Sequence, residues 1–124
     1  MKTCLVVDDS RVIRKVACRI LTNLDFETME AENGAAALMS CRRQMPDMIL
    51  LDWNTPQSNG VDFLKALRSE TRGNHPIVVL CTTENDAVRI AEALNAGADD
   101  YVIKPFDRGI LEAKLAEVGL VEPR

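Results

Sequence analysis

Aromatic side chains are scarce in this chain of 124 residues: one Trp, one Tyr and three Phe, 4% in all. So few rings argue against a pocket that stacks a flavin. Positive charge is not in excess either. The 15 Lys and Arg stand against 19 Asp and Glu, a formal net charge of -4, so no broad basic field attracts a phosphate backbone and nucleic-acid binding is not expected. Long apolar runs are missing, and none approaches the ~20 residues that cross a bilayer. The opening MKTCLVVDD meets acid after a few apolar residues, too few for a secretory signal peptide. The chain is therefore expected in the cytoplasm, with no membrane partner. Cysteine is present but lacks metal-ligand spacing: Cys4, Cys18, Cys41 and Cys81 each lie among apolar neighbours, as small core residues with reduced thiols would. Repeats, linkers and low-complexity tracts are absent.

What remains is the make-up of one globular domain, 47% apolar and 27% charged, long enough to bury a core without staples. Five β-rich runs, 3–7, 26–30, 48–52, 77–81 and 101–103, alternate with stretches of helical period. The second run, FETME, is the weak one. Ile13, Val16, Ala17, Ile20 and Leu24 recur at helix spacing, as do Leu38, Cys41 and Met45, then Phe63, Leu64 and Leu67. Ala87, Ile90, Ala91 and Leu94 follow, and finally Leu111, Leu115 and Val118. Near-continuous apolar strands joined by helical crossovers predict a doubly wound α/β domain with a five-stranded parallel sheet and five helices. Ser10 is a candidate N-cap, Asn33-Gly34 and Asn59-Gly60 mark turns, and Ala96-Gly97 ends the fourth helix.

Ligands of such sheets bind outside the carboxyl ends of the strands. There the sequence places Asp8 and Asp9, Asp52, Thr82, and Lys104 followed by Pro105. Adjacent carboxylates repel and ask for a counter-charge. A lone Asp pair is more often a helix cap or a solvated turn, but with Asp52, Thr82 and Lys104 at the same edge a divalent cation becomes the better reading, and carboxylates, carbonyls and water are the ligands Mg²⁺ prefers.

VVDDS (6–10), LLDWNTP (50–56), LCTTE (80–84) and NAGADDYVIKPF (95–106), in this order, resemble the receiver domains of two-component response regulators, in particular the single-domain CheY-like type. The resemblance covers nearly the whole chain and implies a flavodoxin-like, CheY-like strand order of 2-1-3-4-5. It implies a single receiver over 1–124 without an output domain, expected to be monomeric, with dimerisation on phosphorylation as the alternative. Asp52 would be the phosphoacceptor, charged by a histidine kinase. Asp9, Asp52 and the backbone carbonyl of Asn54 would ligate Mg²⁺, with Asp8 holding it through water, and Thr82 and Lys104 would bind the phosphoryl oxygens. Tyr101 would be the switch aromatic, and the signalling face would include Ile90, Tyr101, Ile103 and Lys114. Asn54 and Glu84 would flank the path of hydrolytic water and set the phosphate lifetime. Thr83, Gly109 and the GLVEPR tail depart from the chemotaxis type and bear on the output partner.

Two functions compete within this resemblance: a switch that binds a downstream protein when phosphorylated, and a relay that hands phosphate on to a histidine phosphotransfer protein. Neither is an enzyme acting on an external substrate; the chain would catalyse only its own aspartyl phosphorylation and dephosphorylation. The run Asp52-Trp53-Asn54-Thr55 also resembles the nucleophile motif of haloacid-dehalogenase-type phosphatases, but Asn54 stands where those enzymes need a second acid.

Overall fold

The computed structural model describes residues 1–52, 60–82 and 87–122. Strands β1 (Lys2–Val7), β2 (Phe26–Ala31), β3 (Met48–Asp52), β4 (Ile77–Thr82) and β5 (Asp100–Ile103) form one parallel sheet in the order β2-β1-β3-β4-β5. Helices α1 (Arg11–Asn23), α2 (Gly34–Arg43), α3 (Gly60–Ser69), α4 (Ala87–Ala96) and α5 (Arg108–Glu117) make the crossovers. This is the doubly wound, flavodoxin-like arrangement expected from the sequence.

The period-2 geometry of a strand sorts the apolar residues into two cores. Leu5 and Val7 of β1, with Ile49 and Leu51 of β3 and Val78 and Leu80 of β4, meet Ala37, Phe63, Leu64, Leu67 and Ile90 from α2, α3 and α4. The alternate residues, Cys4, Val6, Met48, Leu50, Val79 and Cys81, meet Ala17, Leu21, Leu111 and Leu115 from α1 and α5. A strand covered on both faces has no polar alternation, which is why β1, β3 and β4 read as continuous apolar runs. The edge strand β2 exposes Glu27 and Glu30 more than its ends, and its sequence signal is correspondingly weak. All four cysteines are free and buried. Burial pushes the Cys41 thiol up to about 11, with a smaller contribution from the Glu70 carboxylate, so it behaves as a small apolar residue.

The entries of α1, α2 and α5 are capped by side chains. Ser10 Oγ accepts from the N–H of Ile13 at 3.2 Å and Asp107 Oδ1 from that of Ile110 at 2.8 Å. At Asn33-Gly34 the structure differs from the expected turn. Asn33 Oδ1 accepts from the N–H of Ala36 at 2.8 Å and Gly34 opens α2, so the amide that suits a turn serves here as a helix cap. Gly60 likewise opens α3, while Asn59 lies outside the described residues. Gly97, with φ of +123°, ends α4 in a backbone region that glycine adopts readily.

The parallel register levels the strand ends that matter. Val7 pairs with Leu51, Asp52 with Cys81, and Thr82 with Ile103. Asp8, Asp52, Thr82 and Lys104 therefore leave the sheet along one edge. At the opposite edge Asp47 ties three strands together: its carboxylate accepts from the N–H of Thr3 at 2.8 Å and lies 2.9 Å from His75 Nε2, and its carbonyl accepts from the N–H of Ile77 at 3.0 Å.

Candidate functional site

Asp8 follows the last residue of β1, and its N–H continues the ladder by donating to the carbonyl of Ala31 at 3.1 Å. Asp52 is the final residue of β3. Carboxylate oxygens of Asp8, Asp9 and Asp52 lie within 4.8 Å of one another, Asp8 and Asp52 buried and Asp9 exposed. The side chains of Asp8 and Asp52 are only 6% and 7% accessible, so ionised carboxylates there need compensation.

Lys104 supplies part of it. The ammonium of Lys104 is 3.2 Å from Asp8 Oδ2 and 3.4 Å from Asp52 Oδ1, on a side chain 15% accessible. Its backbone N–H donates to the carbonyl of Thr82 at 2.7 Å, and the Lys104–Pro105 peptide is cis. Burial works against the charge on Lys104, but the attraction of Asp52 and Asp8 together outweighs it and holds the pKa above the ordinary lysine value. Three carboxylates and one ammonium leave a formal charge of -2 (three negative, one positive). Oxygen donors with that balance, closed on two sides by burial and open beside Asp9, fit a hard divalent cation.

Thr82 is buried at the end of β4. Beside the carboxylates, burial pushes the Cys81 thiol far up, despite Lys104, so it stays a neutral thiol. Asn54 and Glu84 lie outside the described residues.

The residues expected on a signalling face are spread over β5, α4 and α5. Tyr101 and Ile103 are half-buried. Lys114 sits over the Tyr101 ring, 5.3 Å from its centre, and its ammonium is 3.0 Å from Asp100 and 2.9 Å from Glu117. Ile90, by contrast, belongs to the core: α4 turns it onto the sheet with Ala93 and presents Val88 and Leu94 to solvent.

One residue that the sequence reading did not single out reaches the site. Arg14 Nη1 donates to the backbone carbonyl of Asp8 at 2.8 Å, while its Nε donates to Glu30 Oε1 at 3.0 Å. Lys15 also pairs with Glu30, at 2.7 Å. A signal was available. The first turn of α1 carries no acidic residue, and basic groups this near a helix N-terminus oppose the helix dipole, so they call for a partner elsewhere.

Residues 4–116 match the response regulator receiver domain family. The chain belongs to that family. Among curated receivers, it is 36% identical to the chemotaxis protein CheY1 of Helicobacter pylori over 116 residues, covering 92% of this chain and 94% of that one. It is also 36% identical to CheY of Pseudomonas aeruginosa, covering 92% and 93%. Among solved receivers, the chemotaxis regulator CheY4 of Vibrio cholerae superposes with a TM-score of 0.90 at 30% identity, covering 95% of this chain and 98% of that one. The receiver domain of the sensor histidine kinase PA1611 from Pseudomonas aeruginosa, described with a magnesium ion coordinated in its active-site cleft, gives 0.85 at 28%, covering 94% and 95%. The fold and the order of the strands are thus those of a CheY-like receiver, and two-component signalling is the setting.

Proposed function

We propose that this receiver takes a phosphoryl group onto Asp52 from a histidine kinase in a Mg²⁺-dependent reaction and signals by binding another protein when phosphorylated. The observation that carries the reading is the placement of Asp52: a buried carboxylate within 4.8 Å of two others and 3.4 Å from a lysine ammonium. The receiver match extends over 92% of this chain and over 94% and 93% of the two chemotaxis relatives, which supports a chemotaxis-type receiver.

In the transfer, an Asp52 carboxylate oxygen forms a bond to phosphorus as the donor's histidine N–P bond breaks, and the imidazole nitrogen keeps the electron pair. Phosphoryl transfer proceeds through a loose transition state, so positioning and neutralisation of the phosphoryl oxygens matter more than bond-making by the protein. Lys104 would pair with one of those oxygens and Thr82 would donate its hydroxyl to another. Asp8, Asp9 and Asp52, with the backbone carbonyl of Asn54, would hold Mg²⁺, as the magnesium-bearing receiver among the solved relatives supports. A bound divalent cation supplies the positive charge that lets clustered carboxylates stay ionised beside an incoming phosphoryl group. Output then passes through Thr82 and Tyr101 to the face that includes Ile103 and Lys114, and Asn54 and Glu84 tune hydrolysis.

The deciding experiment is phosphoryl transfer from an autophosphorylated histidine kinase with labelled phosphate. Wild type is expected to label in Mg²⁺ and not in chelator, and Asp52→Asn to lose the label. Labelling of Asp52→Asn at the wild-type rate would overturn the assignment.

A further inference from the structure

Every polar group of Asp8 is already committed. Its N–H goes to Ala31, Oδ1 accepts from the N–H of Ser10 at 2.9 Å, Oδ2 faces Lys104, and the carbonyl accepts from Arg14. The carbonyl matters most for the neighbour, because the peptide unit is planar: the direction of the Asp8 C=O sets the plane in which the Asp9 N–H and Cα lie. Asp9 is exposed and follows the sheet's last ladder bond, so its backbone direction depends on what holds that plane.

We propose that Arg14 and Glu30 are a positioning pair for cation binding. Arg14 clamps the Asp8 carbonyl and thereby aims Asp9 at the site, and Glu30 keeps the guanidinium in place. This rests on the cation site proposed above. The side chain of Arg14 is 14% accessible, and two separate nitrogens of its fork hold two oxygens, one just beyond β1 and one on β2, a planar geometry that the single nitrogen of an ammonium does not reproduce. Glu30 is brought there by the sheet, where Val6 pairs with Glu30 in the parallel register of β1 and β2. Lys15 on the more exposed side of Glu30 completes the cluster.

Charge and geometry predict opposite outcomes when Arg14 is removed. A cation beside three carboxylates repels Mg²⁺, so loss of its charge alone would tighten binding. Loss of the clamp weakens it, in the way that removing a partner of a metal ligand does, by about tenfold, the lower end of the usual range.

The test is Mg²⁺ binding by isothermal titration calorimetry at constant ionic strength, with no phosphodonor present, on wild type, Arg14→Gln and Arg14→Lys, each first shown to melt cooperatively above the assay temperature. Arg14→Gln is expected to bind about tenfold more weakly. Arg14→Lys, which keeps the charge but loses the two-nitrogen fork, is expected between it and wild type, and it carries the test if Arg14→Gln does not fold. Wild-type binding with unchanged or tighter binding in Arg14→Gln overturns the inference alone. So does an Arg14→Lys protein equal to wild type. A wild type that does not bind Mg²⁺ overturns the cation site and this inference together.

Discussion

Asp52 stands at the centre of a conflict between chemistry and stability. Three carboxylates crowd one sheet edge and, among the described residues, the ammonium of Lys104 lies against two of them, so the protein carries like-charge repulsion that the proposed function would explain. Asp52→Asn relieves part of it. In metal-free buffer this variant is expected to be more stable by about 1 kcal/mol, or roughly 3–5 °C in melting temperature for a chain of this size. The gain should shrink as Mg²⁺ is added, and circular-dichroism melts with and without the ion check both statements. Lys104→Met works the other way: it takes the ammonium away from two buried carboxylates and is expected to cost about 1–3 kcal/mol in urea titrations without metal. At Glu30 the hydrogen bond from Lys15, opposed by burial and reinforced by Arg14, holds the carboxyl below its ordinary 4.5. A depressed carboxylate contributes stability above the unfolded-state pKa and loses it as pH falls through the folded one. Glu30→Gln should therefore lose stability above about pH 4.5 and approach wild type at lower pH, as paired urea titrations across that range would register.

On α1 the sequence and the structure part ways in an instructive manner. Helical spacing points to Ile13, Val16, Ala17, Ile20 and Leu24 as the inward stripe, yet the fully covered residues are Ala17, Cys18 and Leu21, while Ile13 and Val16 are 40% and 51% accessible. A helix lying on a flat sheet buries a narrow stripe, and periodicity alone does not say which of two adjoining apolar stripes it will be. Ile13 and Val16 instead line a largely apolar cavity of about 460 Å³ with Pro105 and Phe106, beside Lys104. The two stripes should answer mutation differently. Leu21→Ala is expected to cost about 2–5 kcal/mol, and Val16→Ser to stay within about 0.5 kcal/mol, in equilibrium urea unfolding. A large loss in Val16→Ser would mean that this stripe packs more tightly than its exposure indicates.

Across the whole molecule, legibility followed the range of the interactions. The central strands announce themselves because both their faces are covered, and Asp8, Asp52, Thr82 and Lys104 could be placed together because parallel strands put their carboxyl ends on one edge. Arg14 and Glu30 were not legible as a pair: the expected strand order sets β2 beside β1, but their meeting also depends on the register of the two strands and on the face that α1 turns toward β2, which neither residue's neighbours encode. Ile90 is the opposite case: placed on a surface by resemblance, it is turned inward by the local packing of α4. The strand β5 carries one further consequence. It is four residues long, lies at the edge of the sheet and has a single strand neighbour, yet its end delivers Lys104 to the centre of the site. Edge elements with little ladder to break open at a fraction of the global unfolding free energy. The amide of Val102 should therefore exchange with solvent deuterium faster than that of Val79 in the middle of β4, through a sub-global opening that withdraws the ammonium each time it occurs. Any ligand that requires Lys104 in place must suppress that opening, so occupancy of the site would be read out as slowed exchange along β5, well beyond the atoms it touches.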